Sequence, residues 1–329
     1  MLITDMKKSS AFLICTLIIF AYCIPVSCNN KDVSTRKPIG VTVTSNVKYG
    51  SNKDWQGDVQ NLLLDVYTPP GASGTEKFPL VVYIHGGGFL DGDKLDKKAL
   101  MMDFANSGFA GASINYRLGW TQGNNCNGDT VEAKEAIYRA VQDAKAAIRF
   151  LVANADKYHI DTSKIFIGGE SAGAITALST NYFTQAYAND FIPGVESKLG
   201  ALDNADNNLT ASYSIKGIAS VAGCLNTPDL ISNASAKPTI YMHGLLDNVI
   251  PYDSGHNYNC KNFSFCYGDY YLYNITKNLT ASVMHLDSTG THNVYNENFI
   301  SANEICFFNS IIQNTSDTGF FTGTASSCQ

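Results

Sequence analysis

Charged residues are scarce in this 329-residue chain, and the basic ones are in the minority. Only 16% of the residues are charged, and 23 Lys and Arg stand against 29 Asp and Glu, a formal net charge of −6. A chain without a basic excess has no electrostatic footprint for nucleic acid or for an anionic membrane surface. Because 45% of the residues are hydrophobic, a disordered chain is excluded as well. We therefore expect a globular protein without a nucleic-acid partner.

Metal and phosphate motifs are also lacking. The nine cysteines show no Cys-x-x-Cys or Cys/His spacing typical of zinc, and no lysine follows the glycine run at 86–88 in the Walker arrangement. Neither a metal nor a cofactor is expected. No internal repeat or low-complexity linker divides the sequence, so we expect one domain over residues 51–329.

The N-terminal segment has the features of an export leader. Two lysines precede the uncharged, mostly apolar run Ala11–Val26, which is shorter than the roughly 20 residues of a spanning helix. We predict a cleaved leader over residues 1–28, a secreted or periplasmic protein, and no integral membrane domain after cleavage. Pro25–Cys28 loosely matches a lipoprotein box, so a lipid anchor at Cys28 stays open, as does an uncleaved anchor. Residues 29–50 are predicted to be a mobile lead-in.

Six cysteines follow the leader. An even number in an oxidising compartment favours disulfides, and six cysteines allow 15 pairings. We expect Cys260–Cys266 to close a short local loop and Cys306–Cys328 to hold the C-terminal tail. Cys126–Cys224 is then the third pair, by elimination.

Short apolar runs bounded by turn residues recur along the chain, as is typical of strands buried on both faces. They are Leu80–Ile84, Gly111–Tyr116, Ile165–Gly168, Ile218–Ala222, Thr239–His243 and Ser282–Leu286. Helical patterns lie between several of them, the clearest after Asp129, a candidate N-cap with Glu132 in the capping-box position. The alternation predicts an α/β fold with a predominantly parallel central sheet and helices on both faces. Residues 181–214 and 256–273 are predicted insertions.

The pentapeptide Gly169–Gly173, of sequence GESAG, follows one of these strands and precedes a helical segment. A nucleophilic serine on such a turn needs glycines on both sides because other side chains would collide with neighbouring backbone. Upstream, Gly86, Gly87 and Gly88 follow another strand, where their N–H groups could stabilise a tetrahedral oxyanion. We therefore expect Ser171 to be a nucleophile, and His85 to support the glycine loop.

A serine hydroxyl is a weak nucleophile at neutral pH and needs a histidine base oriented by a carboxylate. Asp247 follows the strand Thr239–His243, and His292 follows the next strand, both where open α/β sheets bind ligands. Their order after the serine fits this chemistry. Three alternatives stay open, with Asp253 as the acid and His285 or His256 as the base. His243 is expected to pack at its strand end.

The chain at this point resembles the α/β-hydrolase superfamily, and within it carboxylesterases similar to hormone-sensitive lipase and to bacterial acetyl-xylan or feruloyl esterases. The resemblance rests on HGGGF at 85–89, NYRLG at 115–119, GESAG at 169–173, HGxxD at 243–247 and GTH at 290–292. It implies the α/β-hydrolase fold, with Ser171 as nucleophile, Asp247 as orienting acid and His292 as base. The oxyanion donors it implies are the N–H groups of Gly87, Gly88 and Ala172.

The resemblance also implies a secreted carboxylesterase that forms an acyl-enzyme on short-chain, acetyl-sugar or aryl esters, whether small molecules or carbohydrates. Phe89, Tyr116 and Trp120 are candidates for lining its pocket. Two other hypotheses remain: an amide hydrolase of peptidase or formamidase type on the same fold, and a catalytically silent binding or adhesion protein. Peptidases of that type usually carry a propeller domain, for which roughly 60 residues upstream are too few, and silent relatives typically lose members of the triad.

Overall fold

The computed structural model describes residues 40–124 and 126–327. The leader, Cys28 and the start of the lead-in lie outside the described residues. The described elements follow one another as β1 (Thr42–Lys53), β2 (Val59–Thr68), β3 (Phe78–Ile84), α1 (Lys98–Asn106), β4 (Ala110–Ile114), α2 (Thr130–Ala153), β5 (Ile160–Glu170), α3 (Ala172–Tyr182), α4 (Gln185–Phe191), α5 (Val195–Leu199), β6 (Ile215–Val221), β7 (Cys224–Leu225), β8 (Thr239–Gly244), β9 (Ser254–His256), β10 (Phe265–Gly268), α6 (Asp269–Thr276), β11 (Ser282–Asp287), α7 (Glu297–Ile312) and β12 (Gly319–Thr322).

A nine-stranded sheet forms the centre of the described chain, in the order β1-β2-β4-β3-β5-β6-β8-β11-β12. Neighbouring strands from β4 to β12 are parallel, whereas β2 is antiparallel to both β1 and β4. Helices α1 and α7 pack in one apolar core and α2, α3 and α6 in the other. The predicted α/β fold with a mainly parallel sheet is confirmed. Because parallel strands end at the same edge, the loops after β3, β5, β8 and β11 meet there.

Helix α2 begins where the sequence predicts, but its N-terminus is held differently. The Asp129 carboxylate accepts the N–H groups of Val131 and Glu132, at 2.9 and 3.0 Å. Glu132 does not bond back to the cap, because its carboxylate accepts the Thr121 N–H at 2.8 Å. Glu132 thus fastens the helix to the loop that precedes it rather than closing a capping box.

The predicted lead-in extends too far into the chain. Residues 42–50 form the first part of β1, which pairs antiparallel with β2 along its length. Register shifts between Thr44 and Val47 and between Lys48 and Gly50 interrupt the pairing. Such bulges break the two-residue alternation by which a strand is recognised in a sequence, so the polar sequence of this segment does not show the strand.

The two predicted insertions contain regular structure. Helices α4 and α5 lie within residues 181–214. The second insertion, 256–273, contributes β10 and part of β9 to a three-stranded antiparallel sheet, in the order β7-β10-β9, and it ends within α6. Both therefore fold into elements too short for a sequence period to show.

The structure pairs Cys126 with Cys260, whose Cα atoms are 5.4 Å apart. The predicted pairs Cys260–Cys266 and Cys126–Cys224 are therefore wrong, and Cys224 and Cys266 are buried free thiols. The loop before α2 and the second insertion pack together, with the rings of Trp120 and Phe263 5.6 Å apart. That packing brings together two cysteines 134 residues apart. The pairing of Cys306 with Cys328 lies outside the described residues, because Cys328 does.

Candidate active site

Ser171 lies on a sharp turn between β5 and α3. Its backbone has φ 55° and ψ −120°, a positive-φ conformation that is rare outside glycine and is often found at functional sites. A Cβ on Gly169 would collide with the backbone of Gly173, and a Cβ on Gly173 would collide with the Ile84 carbonyl. The two flanking glycines therefore allow β3, the turn and α3 to pack closely, which leaves Ser171 at the carboxyl edge of the sheet.

Three of the predicted residues meet at this edge. His292 Nε2 lies 2.8 Å from Ser171 Oγ, and His292 Nδ1 lies 2.8 Å from Asp247 Oδ2. The three side chains come from the loops after β5, β8 and β11. The Asp247 side chain is fully buried, while the His292 side chain is 23% exposed. A buried carboxylate, an imidazole and a hydroxyl thus form one continuous line of hydrogen bonds that ends at the solvent side.

The surroundings of Asp247 favour its ionised form. Its Oδ1 accepts the backbone N–H groups of Val249 and Ile250, at 2.8 and 3.0 Å. Burial alone would raise the pKa of Asp247, but hydrogen bonds from His243 and His292 outweigh it and hold the pKa well below the usual carboxyl range. A charged carboxylate at Asp247 stabilises a protonated His292, the form that arises when the imidazole takes up a proton.

The glycine loop after β3 is held by side chains behind it. The Tyr116 hydroxyl donates to the carbonyl oxygens of His85 and Gly86, at 3.0 and 3.2 Å. The Gly87 carbonyl accepts the N–H groups of Leu90 and Asp91, at 2.9 and 3.2 Å. In a trans peptide the N–H points opposite to the carbonyl. Because the carbonyl oxygens of Gly86 and Gly87 are bonded to protein in this way, the N–H groups of Gly87 and Gly88 point to the opposite side of the loop.

Those amides are available to a ligand. Within the described chain the N–H groups of Gly87 and Gly88 donate no hydrogen bond to protein. Ala172 is the first residue of α3, where a helix leaves its N–H groups without intrahelical acceptors. Gly87 has φ 102°, and a Cβ there would collide with Asp91. Glycine is thus required at position 87 for the backbone to take this path.

Two cavities adjoin Ser171. One, of about 50 Å³, is mostly apolar and is lined by residues including Phe89, Trp120, Ile137, Ile175 and Phe263. The other, of about 470 Å³, is open and more polar, and its walls include Asp91, Lys97, Gln122, Glu170 and Asn293. Tyr258 borders both. The serine hydroxyl therefore lies between a narrow apolar recess and a wide polar cleft.

Two of the three predicted pocket residues line the small cavity, and the third does not. Phe89 and Trp120 line the small cavity, and Trp120 Nε1 also donates to the Gly88 carbonyl at 2.9 Å. Tyr116 is wrong as a pocket residue, because it is 1% exposed beneath the glycine loop and stacks on the His85 ring at 4.5 Å. The sequence expectation that His85 supports the loop fits this stacking, while Tyr116 braces the loop rather than lining the cavity.

The two histidines considered as alternative bases form hydrogen bonds with groups other than Ser171. His285 Nε2 is 3.0 Å from Ser327 Oγ, and His256 Nδ1 is 2.7 Å from the Phe263 carbonyl. The carboxylate bonded to His292 is that of Asp247 rather than Asp253. Sequence reasoning missed Tyr258 and Phe263, which no motif marks. It also missed His243 as a polar partner of Asp247, although the spacing His243-x-x-x-Asp247 contained that signal.

No group of three or more His, Cys, Asp or Glu side chains in the described ranges could hold a metal ion. No helix in the part of the chain that the structure covers is long and apolar enough to cross a bilayer.

Comparison with known proteins finds curated relatives in several organisms. A cAMP-regulated D2 protein of Dictyostelium discoideum is 31% identical over 166 residues, 45% of this chain and 28% of that protein. Lipase 2 of Geotrichum candidum is 26% identical over 213 residues, 61% of this chain and 36% of the lipase. Carboxylesterase 1C of Rattus norvegicus is 29% identical over 174 residues, 50% and 29% of the two chains. The matches span only about a third of the length of these curated relatives.

A solved structure described as a truncated form of a carbohydrate esterase from gut microbiota shares the fold. It superposes with a TM-score of 0.58 at 17% identity, covering 84% of this chain and 99% of that one. The fold and the relatives together place the chain among the α/β-hydrolases of the esterase and lipase type. A family model narrows this assignment further. The BD-FAE family model matches residues 64–233, more than half of the 329 residues, and the chain belongs to that family.

Proposed function

We propose that the protein hydrolyses carboxylic esters through an acyl-enzyme on Ser171, with His292 as the base and Asp247 as the orienting acid. The observation that carries the proposal is the hydrogen-bonded line from Ser171 Oγ through His292 to Asp247, with 2.8 Å at both steps. Its position beside free backbone amides supports acyl transfer. The esterase and lipase relatives favour an ester over an amide substrate.

In the first step, Ser171 Oγ attacks the ester carbonyl carbon while its proton passes to His292 Nε2. The carbonyl oxygen becomes an oxyanion, for which the N–H groups of Gly87, Gly88 and Ala172 are the proposed donors. The carbon–oxygen bond to the alcohol then breaks, and the alcohol leaves with the proton from His292. The acyl group remains as an ester of Ser171.

In the second step, water takes the place of the alcohol. His292 removes a proton from the water as its oxygen attacks the acyl carbon, and the same amides stabilise the second oxyanion. The bond to Ser171 Oγ breaks, the serine recovers its proton from His292, and the carboxylic acid is released. In both steps His292 Nε2 carries the proton between the attacking oxygen and the leaving oxygen.

The two cavities suggest how an ester is oriented. The recess of about 50 Å³ has room for roughly three to five water-sized groups, which fits a short acyl chain. The polar cleft of about 470 Å³ suits an alcohol rich in hydroxyl groups, such as a sugar. We therefore propose acetyl and other short-chain esters, including acetylated carbohydrates and aryl acetates, as the substrate class.

The acyl preference is testable with p-nitrophenyl esters. Because the recess is small, we expect kcat/KM to be about 10- to 100-fold lower for the octanoate than for the acetate. Phe263→Ala removes a wall of the recess and should reduce that ratio. Phe265→Ala, a change to an exposed ring of the same insertion that does not line the recess, is the matched control and should leave the ratio unchanged. A faster octanoate would contradict this assignment, and cleavage of amides in place of esters would favour an amide hydrolase.

The glycine loop gives a second test. Gly87→Ala places a Cβ against Asp91 at a position whose backbone φ is 102°. The loop must therefore shift, and its N–H groups no longer point at the oxyanion. We expect kcat on p-nitrophenyl acetate to fall by about 10²- to 10³-fold, the usual loss for one oxyanion donor. The control is Gly57→Ala, at a similar φ of 94° but with open space around the new methyl. Equal kcat values in the two variants would remove the oxyanion role from this loop.

Export remains part of the proposal. A leader over residues 1–28, with lipid attachment at Cys28 as the alternative, would deliver the enzyme to an oxidising compartment. The Cys126–Cys260 disulfide supports that location, because disulfides persist there and are rare in reducing cytosol. The intact mass of the N-terminal peptide of the exported protein distinguishes a free, lipidated or uncleaved end.

A further inference from the structure

A second histidine lies behind Asp247. His243, at the end of β8, is fully buried, and its Nε2 is 3.2 Å from Asp247 Oδ2. Its Nδ1 is 2.9 Å from Oδ2 of Asp269, the first residue of α6 and also fully buried. The oxygen of Asp247 that faces His243 is the same one that His292 contacts. The histidine therefore joins the orienting carboxylate to another carboxylate deeper in the protein.

Asp269 is held in turn by two donors from the end of β6. Ser220 Oγ donates to Asp269 Oδ1 at 2.6 Å, and the Gly223 N–H donates to Oδ2 at 2.9 Å. Burial raises the pKa of the Asp269 carboxyl above its ordinary value, and these two donors together with His243 act against that rise. The chain of contacts thus runs from Ser171 through His292, Asp247 and His243 to Asp269.

The contacts define the protonation of His243. Nδ1 faces a carboxylate oxygen, while Nε2 faces a carboxylate oxygen and, at 3.2 Å, the Ile250 carbonyl. Every neighbour on both sides is an acceptor, so a neutral ring would point a lone pair at one of them. Only the doubly protonated ring donates on both sides.

We propose that His243 and Asp269 are positioning residues for the reaction, a buried imidazolium and its counter-carboxylate that fix Asp247 behind His292 and set the basicity of His292. This inference rests on the proposed function of Ser171, His292 and Asp247. Its content is a five-residue charge chain in which the inner pair orients and partly neutralises the carboxylate of the outer three.

Electrostatics support the charged form of His243. Burial alone would lower its pKa, but hydrogen bonds and charge from Asp247 and Asp269 outweigh burial and raise the pKa of His243 to about 9. The other titratable groups near this pair are His292, the Cys224 thiol and the Tyr241 hydroxyl. Burial raises the pKa of both Cys224 and Tyr241 well above their ordinary values, so both stay neutral where the enzyme would work.

The charge chain predicts shifts of opposite sign in two variants. In His243→Gln the cation next to Asp247 is gone, so Asp247 stabilises protonated His292 more strongly. The acid limb of the kcat/KM profile should move to higher pH by roughly 0.5 to 1 unit. In Asp269→Asn the cation faces Asp247 alone and the same limb should move to lower pH. Loss of packing alone would not give opposite shifts.

We also expect the turnover to depend on His243. Loss of a hydrogen bond from a charged donor to Asp247 should lower kcat on p-nitrophenyl acetate by about 10- to 100-fold in His243→Gln, with KM little changed. The matched control is His285→Gln. His285 is buried on the adjacent strand β11, and burial lowers its pKa to about 4, so it is neutral. We expect this control to keep the wild-type kcat and pH profile.

The wild-type enzyme gives a direct readout of the charge on His243. In ¹⁵N-histidine-labelled protein at pH 7.5, both ring nitrogens of His243 should have imidazolium chemical shifts, with His243→Gln used to assign the signals. A neutral His243 at that pH would overturn the proposal, as would a folded His243→Gln enzyme with the kcat and acid limb of the wild type. Ser171→Ala in the same assay separates the two proposals. If Ser171→Ala stays active, the proposed function fails and this inference with it; if Ser171→Ala is inactive while His243→Gln is unchanged, only this inference fails.

Discussion

Replacing Ser171 with alanine is expected to lower kcat on p-nitrophenyl acetate by about 10⁴- to 10⁶-fold. The hydroxyl is the group of the protein that bonds to the acyl carbon in the proposed mechanism, so without it the acyl-enzyme cannot form. The rate that remains would come from the backbone amides and from substrate binding alone. Alanine also removes the contact with His292 Nε2 at 2.8 Å without filling its place. Steady-state kinetics on purified protein measure the loss.

Ser179→Ala is the matched control. Ser179 lies on α3, the helix that begins after Ser171, and its buried hydroxyl has no hydrogen-bond partner among the described residues. Removing it should leave kcat within about 2-fold of the wild type. A Ser171→Ala enzyme as active as this control would remove the nucleophile assignment.

Asp247→Asn is expected to lower kcat by about 10⁴-fold at neutral pH. The amide keeps the size of the side chain and an oxygen for the N–H groups of Val249 and Ile250. Where Oδ2 now accepts from His292 and lies 3.2 Å from His243 Nε2, an NH₂ group would donate toward His292 instead. His292 would then be held in the tautomer with the proton on Nε2, and it could not accept the serine proton.

Asp253→Asn tests the alternative acid in the same assay. Asp253 is the other carboxylate that the sequence left open, and among the described residues its backbone carbonyl, not its side chain, accepts a hydrogen bond, from Gly268. We expect its kcat to match the wild type. A loss of comparable size in Asp253→Asn, with Asp247→Asn nearly unaffected, would transfer the orienting role.

The sequence was most informative where local geometry leaves few choices. A serine on a positive-φ turn packed against β3 needs glycine at positions 169 and 173. The GESAG motif contains both glycines and therefore predicts the turn. The glycine loop is recognisable in the sequence for the same reason, since position 87 has no room for a Cβ. Buried strands such as Leu80–Ile84 were recognisable because no polar residue interrupts them. These local signals were enough to predict the sheet and the residues that meet at its edge.

Contacts between distant segments were not predictable in this way. The disulfide depends on how the Trp120 loop packs against the second insertion, and nothing local in the sequence specifies that packing. Tyr116 is aromatic and close in sequence to Trp120, yet it turns beneath the glycine loop because its hydroxyl bonds to backbone carbonyls there. The sequence predicts only packing for His243, because its partner Asp269 is 26 residues away and belongs to another element.

The central claim is that Ser171 has a uniquely reactive hydroxyl, and covalent trapping measures this most directly. Purified enzyme treated with a small organophosphate, digested and analysed by mass spectrometry should carry one phosphoryl group per chain, on the peptide that contains Ser171, in step with the loss of esterase activity. The Ser171→Ala protein should take up none. Stoichiometric labelling at another residue, or full inactivation with Ser171 unmodified, would contradict the account.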